Sequence, residues 1–328
     1  MTYQLPKALR TTSVGSFPKP DYLQAARNKA SAGKLDAAEL RKLEREATEE
    51  VIRLQEDLGI DVLVHGEMER GDMTTYFAEV IPGMGVSGLV RSYGNRYYRK
   101  PIITGDLKWP GPMTVESWKE AQNLTDRPVK GMLTGPYTMV DWSFDERYAN
   151  RREAILAMAH VLHEEVKALQ DAGARFIQID EPAVSTRPHE MPLAVEAMGI
   201  VTAGITAHTL THICYGDFAA VYDDLVRIPV DQIDLELANS GYDLIDVMKQ
   251  KGFDKEIGLG VLDVHTHKVE DIETVKDSIR RALQVLPPER IYVDPDCGLK
   301  TRTWDEAKAK LEVMMRAVRD VRKEIGVA

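Results

Sequence analysis

The sequence predicts an α/β protein of the (β/α)₈ TIM barrel type, and two observations favour this fold over an open sheet. Eight short runs rich in strand-forming residues alternate with segments of helical periodicity. Polar and metal-capable side chains follow nearly all of these runs. In a barrel all eight strand ends meet at one mouth, whereas an open sheet spreads them along a crevice. We therefore expect one barrel domain over residues 1–328.

The predicted strands occur at regular intervals along the chain. They cover residues 11–14, 61–65, 129–133, 175–179, 210–214, 232–236, 257–262 and 291–293. Two of the intervening helices have apolar residues at steps of three and four. The first runs from Leu40 to Leu58 and ends at Gly59, and the second runs from Ile155 to Leu169 and ends at Gly173.

Two segments fall outside this repeat. Residues 1–35 form an N-terminal extension that we expect to reach across the barrel. Residues 74–128, after the second strand, are too long for a simple connection between a strand and a helix. We interpret them as an excursion over the mouth that contains a hairpin.

Composition excludes several classes of protein. The net charge of −10 argues against a nucleic-acid partner, because phosphates require a basic surface. Apolar runs are all shorter than the roughly 18 residues of a membrane span. Residues 1–10 lack the apolar stretch of a signal peptide, so we expect a cytoplasmic protein.

Four side chains at predicted strand ends could bind a metal ion. His212 and Cys214 are two residues apart, so they share one face of a strand. Glu236 and Cys297 end the sixth and eighth predicted strands. Two thiolates, an imidazole and a carboxylate make a plausible zinc set. The alternative is that both cysteines are small core residues and His212 is a hydrogen-bonded polar residue.

Several strings of the sequence resemble the catalytic half of the cobalamin-independent methionine synthases. The resemblance runs from about residue 11 to about residue 310, in the order of that family. It rests on Gly15-Ser16-Phe17-Pro18, His65-Gly66-Glu67, Gly135-Pro136, Ile179-Asp180-Glu181-Pro182-Ala183, Thr211-His212-Ile213-Cys214-Tyr215 and Asp294-Pro295-Asp296-Cys297-Gly298-Leu299-Lys300-Thr301-Arg302.

The resemblance implies a catalytic barrel that methylates the thiol of homocysteine to form methionine. It implies that Zn²⁺ is bound by His212, Cys214, Glu236 and Cys297. Zinc suits this reaction because it lowers the pKa of a bound thiol. The resemblance also implies a homocysteine site at Val14, Gly15, Ser16, Glu67 and Asp180. Carboxylates suit the substrate ammonium, and backbone N–H groups at Gly15 and Ser16 suit its carboxylate. His265 matches the histidine that donates a proton to the leaving amine.

The sequence departs from the family on the methyl-donor side. Trp142 matches the tryptophan that stacks on the pterin, and Arg96 matches a donor-contacting arginine. However, Tyr97 and Thr186 replace folate-contacting residues, and the second barrel of full-length members is not within these 328 residues. These departures favour a stand-alone enzyme that takes methyl from methylcobalamin, with a corrinoid carrier protein as a possible partner.

Other functions are left open by the sequence. The first alternative is a methionine synthase that uses methyl-tetrahydrofolate. The second is a related zinc enzyme that alkylates another thiol, such as coenzyme M. A zinc hydrolase fits less well, since hydrolytic zinc usually keeps three protein ligands and a water. A non-catalytic zinc protein fits poorly with carboxylates and a histidine that converge on the metal.

Overall fold

The computed structural model describes residues 3–93, 96–214 and 216–327, and the side chains of residues 91–98 lie outside that description. The strands are β1 (Arg10–Thr11), β2 (Met84–Tyr93), β3 (Arg96–Ile103), β4 (Gly131–Thr134), β5 (Phe144–Asp145), β6 (Phe176–Asp180), β7 (His208–Ile213), β8 (Gln232–Leu235), β9 (Glu256–Gly260) and β10 (Ile291–Asp294).

Helices separate most of these strands. They are α1 (Asp21–Ser31), α2 (Ala37–Leu58), α3 (Thr75–Ala78), α4 (Val115–Gln122), α5 (Pro136–Asp141), α6 (Arg151–Asp171), α7 (Met191–Val201), α8 (Tyr222–Leu225), α9 (Asp243–Lys251), α10 (Ile272–Leu283) and α11 (Trp304–Glu324). Short 3₁₀ turns cover Pro182–Thr186, Pro188–Glu190 and Pro288–Arg290. None of the helices within the described residues is both long and apolar enough to cross a membrane.

The described residues fall into two compact units, each made of separate stretches of chain. The first unit takes in Met1–Glu69, Ser117–Lys130 and Gln232–Ala328, and the second Arg70–Glu116 and Gly131–Asp231. In the first unit β1, β10, β9 and β8 lie side by side in parallel. In the second unit β4, β6 and β7 do the same. The prediction of an α/β fold with a parallel sheet is confirmed.

The ends of the predicted helices are set by local chemistry. In α2 the Asp36 side chain accepts the N–H of Glu39 at the first turn. At the other end Gly59 adopts a left-handed conformation with φ of 87°, which glycine tolerates at a helix C-terminus. Glycine 173, predicted to close α6, likewise has a positive φ of 105°.

The predicted second strand, residues 61–65, is present as isolated parallel bridges, Thr12 with Val62 and Leu63 with Val129. The buried side chain of Gln55 explains the difference. Its amide accepts the N–H of Val64 at 3.1 Å and donates to the carbonyl of Val64 at 2.8 Å. A helix side chain therefore takes the backbone groups that a regular ladder would use.

The segment predicted as an excursion contains an antiparallel pair. In the second unit β2 pairs with β3, with register shifts between Val86 and Leu89 and between Arg91 and Tyr93. The short strand β5 pairs with β3 in parallel at Ile102 and Ile103. Residues 94–95, between the two long strands, lie outside the described residues. The placement of this pair over a barrel mouth stays a prediction.

Candidate functional site

Two of the four predicted metal ligands lie in the second unit and two in the first. His212 and Cys214 belong to the second unit, whereas Cys297 and Glu236 belong to the first. His212, Cys214 and Cys297 each offer a ligand atom. His212 lies in β7 and Cys214 directly follows it, so the alternation of the strand directs both side chains to one face. Both are buried, and Cys297 is half-buried. Neither cysteine is in a disulfide.

Glu236, the fourth predicted ligand, has different contacts in the structure. It follows β8 and is 3% exposed. Its carboxylate accepts the side-chain amide of Asn239 at 2.9 Å. The same Oε1 atom lies 3.1 Å from Nε2 of His265, the predicted proton donor. In the first unit the structure therefore brings Glu236 next to His265.

Asp296, beside Cys297, holds the loop after β8 through hydrogen bonds. Its buried carboxylate accepts three backbone N–H groups, from Leu237 at 3.1 Å, Ala238 at 2.9 Å and Asn239 at 2.8 Å. Burial raises the pKa of this carboxyl to about 7 against the opposing effect of those hydrogen bonds. The sequence analysis did not identify this role, although the Asp-Pro-Asp-Cys string contains the residue.

Glu67 is held by its backbone. It has a φ of 57°, in the left-handed region that residues other than glycine rarely adopt. Its N–H donates to Nδ1 of His65 at 3.2 Å, and its carbonyl accepts from Nζ of Lys19 at 3.1 Å. Burial, followed by repulsion from Arg27, lowers the pKa of Lys19. These two hydrogen bonds fix the peptide groups that orient the Glu67 side chain.

Val14, Gly15 and Ser16 follow the first strand in the same unit. Ser16 forms a parallel bridge with Gly66, and its carbonyl accepts the N–H of Leu299 at 2.7 Å. A Cβ atom at position 298 would lie 2.2 Å from Oγ of Ser16. Gly298 is therefore required for the close approach of the chain to Ser16.

Asp180 ends β6 in the second unit, and its carboxylate accepts the side-chain amide of Gln178 at 2.8 Å. The next residue, Glu181, is buried and caps helix α5. It accepts the N–H groups of Tyr137 at 2.9 Å and Thr138 at 2.8 Å. Burial raises the pKa of Glu181 to about 7. Trp142 is the C-cap of α5, so Glu181 lies between Asp180, its neighbour in sequence, and the helix that leads to Trp142.

Trp142 lines a cavity of about 470 Å³ within the second unit. The other lining residues come from the segment before α3, from β3 and from the end of α5: Asp72, Thr74, Thr75, Arg99, Lys100, Pro101 and Asp141. Two of them are basic. The side chains of Arg96 and Tyr97 lie outside the described residues. The hydroxyl of Thr186 donates to the carbonyl of Ala183 at 2.7 Å within a 3₁₀ turn.

Comparison with known proteins supports the resemblance found in the sequence. Residues 9–320 match the family model described as "Cobalamin-independent synthase, Catalytic domain". A relative named methionine synthase, from Saccharolobus solfataricus, is 39% identical, and the match covers 97% of this chain and 96% of the relative.

A second relative is longer than this chain. It is named 5-methyltetrahydropteroyltriglutamate–homocysteine methyltransferase, from Streptomyces avermitilis, and is 42% identical over 96% of this chain. The match covers 42% of that relative, so this chain spans about two fifths of its length.

A solved structure shows a similar fold over nearly the whole chain. It is a B12-independent methionine synthase from Shewanella sp. W3-18-1 in complex with selenomethionine, 27% identical with a TM-score of 0.85. The match covers 98% of this chain and 100% of that one.

These comparisons show that the predicted methyl donor is wrong. The matching family is described as cobalamin-independent, so methylcobalamin as the donor and a corrinoid carrier protein as a partner are both contradicted. The prediction relied on the fact that a second barrel does not lie within these 328 residues, and on the changed residues Tyr97 and Thr186. However, the Shewanella protein matches this chain over its whole length and is named B12-independent. The lack of a second barrel within these residues therefore does not indicate a corrinoid donor, and the chain belongs to the cobalamin-independent synthase catalytic-domain family.

Proposed function

We propose that the protein transfers the methyl group of a 5-methyltetrahydropteroylglutamate to the thiol of homocysteine, and so forms methionine. The main support is that the chain belongs to this family and has an imidazole and two thiols, from His212, Cys214 and Cys297, at the predicted strand ends. The name of the Streptomyces relative contains the same donor and acceptor. This is the folate-dependent alternative that the sequence left open.

We also propose that the parallel strands close into an eight-stranded barrel that forms one domain. The bridges Thr12–Val62 and Leu63–Val129 support this closure. Through them the second predicted strand pairs with the first on one side and with the start of the third on the other. The TM-score of 0.85 to the Shewanella structure is consistent with it. The cytoplasmic location stays a prediction.

Zinc is the metal that fits the chemistry of His212, Cys214 and Cys297. Two thiols and an imidazole are soft and borderline donors, which favour zinc over magnesium or calcium. Neither cysteine is in a disulfide, so both sulfur atoms are available as ligands. We propose Glu236 as the fourth ligand because it is buried at the end of β8. Bound there, zinc would lower the pKa of the substrate thiol so that the thiolate exists at neutral pH.

The chain's own residues would bind and orient the amino acid. The carboxylates of Glu67 and Asp180 suit the ammonium group of homocysteine. Backbone N–H groups at Gly15 and Ser16, after Val14, suit its carboxylate. The contacts of Lys19 and His65 with the backbone of Glu67 favour a fixed carboxylate, which reduces the entropy cost of binding.

The donor would bind at the cavity beside Trp142, whose indole offers a flat surface for a pterin. Arg96, at the start of β3, and the basic side chains of Arg99 and Lys100 suit the anionic glutamate tail. In the reaction a carbon–sulfur bond forms and the bond between the methyl carbon and the pterin nitrogen breaks. That nitrogen then takes a proton, for which we propose His265 as the donor.

The decisive experiment incubates zinc-loaded protein with homocysteine and either methyl-tetrahydrofolate or its triglutamate form, with ¹³C in the methyl group. We expect labelled methionine from at least one folate. A parallel reaction with methylcobalamin serves as a comparison. If neither folate donated its label while zinc was fully bound, the proposed function would be wrong.

A further inference from the structure

A lysine ammonium is enclosed beside the loop that carries His265. Lys310 of α11 is 0% exposed. Its Nζ donates to the carbonyl of Asp263 at 3.0 Å, to the carbonyl of Lys268, and to both carboxylate oxygens of Glu270, at 2.9 and 3.0 Å. A buried ammonium is costly unless its donors are satisfied. Here all of the acceptors come from one segment, residues 263–270.

The carboxylate of Glu270 joins the two ends of this segment. Besides the lysine, its Oε1 atom accepts the N–H of Asp263 at 3.0 Å. The segment lies between β9 and α10. Lys310 and Glu270 therefore hold the two ends of this loop together. We call residues 263–270, Lys310 and these hydrogen bonds the lysine clasp.

His265 lies inside the clasped loop. Its N–H donates to Oδ1 of Asp263 at 2.8 Å, and Asp263 is held in turn through its own N–H and carbonyl. The His265 side chain is 33% exposed, and its Nε2 atom lies 3.1 Å from Glu236. A side chain this exposed has limited packing, so its position depends on the backbone that carries it.

We propose that Lys310 is a positioning residue, which fixes the loop so that the His265 ring stays beside Glu236. The inference rests on the proposed role of His265 in the reaction. A proton donor is effective only within hydrogen-bond reach of its acceptor, so a displacement of about 1 Å would matter. Lys310 itself does not touch the reacting groups and acts through Glu270 and the two loop carbonyls.

A second contact between the loop and α11 is much weaker. Nδ1 of His267 lies 2.9 Å from Oε1 of Glu306, and the His267 side chain is 76% exposed. Exposed ion pairs contribute little because water and salt screen them. The contacts of the buried Lys310 ammonium are therefore the stronger link between the loop and α11.

The test compares Lys310→Met with Lys308→Met. Lys308 lies on the same helix, but its side chain is 51% exposed and its nearest carboxylate, on Glu312, is 4.0 Å away. We expect hydrogen exchange of the amides of residues 263–270 to be at least tenfold faster in Lys310→Met and unchanged in Lys308→Met. We also expect kcat to fall tenfold or more in Lys310→Met, with bound zinc and the KM for homocysteine within twofold of wild type.

A double variant, Lys310→Met with Glu270→Met, separates positioning from simple stability. Replacing both members of a buried ion pair by apolar residues commonly restores stability. We expect Tm to recover while kcat stays low and exchange stays fast. Recovery of kcat together with Tm, or wild-type exchange in Lys310→Met, would overturn the proposal. Glu270→Gln, a milder change, replaces Lys310→Met if the latter fails to fold.

Exchange does not depend on turnover, so the two proposals fail in different ways. If wild-type protein formed no methionine, the proposed function would fall, whereas fast exchange in Lys310→Met would still show that Lys310 holds the loop. If wild type were active and exchange were unchanged in Lys310→Met, the lysine clasp alone would be wrong.

Discussion

The carboxylate of Glu236 lies 3.1 Å from Nε2 of His265. The two residues follow β8 and β9, which are adjacent parallel strands, so sheet geometry brings them together. One carboxylate thus contacts the proposed proton donor and is also the proposed fourth metal ligand. These two roles make different predictions for the metal content of variants.

We expect Glu236→Gln and Cys297→Ser to lose zinc during dialysis against a chelator that leaves wild type with about one zinc per chain. The amide and hydroxyl are poorer zinc ligands than the carboxylate and thiolate. Asn239→Ala is the matched control, since Asn239 donates to Glu236 but is not a proposed ligand. Equal zinc loss in Asn239→Ala and Glu236→Gln would show that Glu236 acts through the loop and not as a ligand.

Replacing either carboxylate proposed to bind homocysteine should lower the affinity for homocysteine without a loss of bound metal. Glu67→Gln and Asp180→Asn should each weaken homocysteine binding ten- to a hundredfold, because a charge-assisted hydrogen bond contributes about 1.5–3 kcal/mol. Isothermal titration calorimetry on zinc-loaded protein measures this. Glu49→Gln, on the exposed side of α2, is the control. Wild-type affinity in either variant would leave that carboxylate with a structural role only.

Replacement of Trp142 should weaken the binding of the methyl donor only. Trp142→Ala removes a ring from the wall of the cavity, and aromatic stacking contributes about 0.5–1.5 kcal/mol beyond burial. The KM for methyl-tetrahydrofolate should rise about two- to thirteenfold, whereas the KM for homocysteine should not change. Trp142→Phe should restore most of the donor affinity. An equal rise in both KM values would point to a general distortion of α5 and not to a donor site.

The raised pKa of Glu44 predicts that the stability of the protein depends on pH. Burial raises the pKa of Glu44 from 4.5 to about 7, although Arg27, 2.7 Å away, opposes the shift. A carboxyl with a raised folded-state pKa stabilises the protein below its ordinary pKa, and this contribution is lost as pH rises through 7. Wild type should therefore lose stability relative to Glu44→Gln between pH 5 and pH 8, by about 1–2 kcal/mol. Urea unfolding at both pH values measures the difference, and a difference independent of pH would contradict the assignment.

The sequence could predict features that depend on neighbouring residues in the chain. The apolar periodicity of α2 and the glycine at its end are local, and so is the spacing that places His212 and Cys214 on one face of β7. The parallel arrangement of the strands followed from the alternation of strands and helices.

The features that sequence reasoning missed depend on contacts between distant residues. Gln55 interrupts the second strand from a helix, and Lys310 reaches the loop of residues 263–270 from α11. A buried lysine in an amphipathic helix has no distinctive spacing, because the same periodicity describes any helix with one apolar face. The methyl donor was predicted wrongly for another reason, since it was inferred from changed residues and from the extent of the 328-residue sequence.

The left-handed backbone of Glu67 implies a trade-off between stability and activity. A residue other than glycine in that conformation costs about 1–2 kcal/mol, which the rest of the fold must offset. A glycine at this position would relax the turn and make the protein harder to unfold, while removing a carboxylate proposed to hold the substrate. Selection for thermal resistance alone would therefore favour the loss of Glu67, and only selection for turnover would retain it.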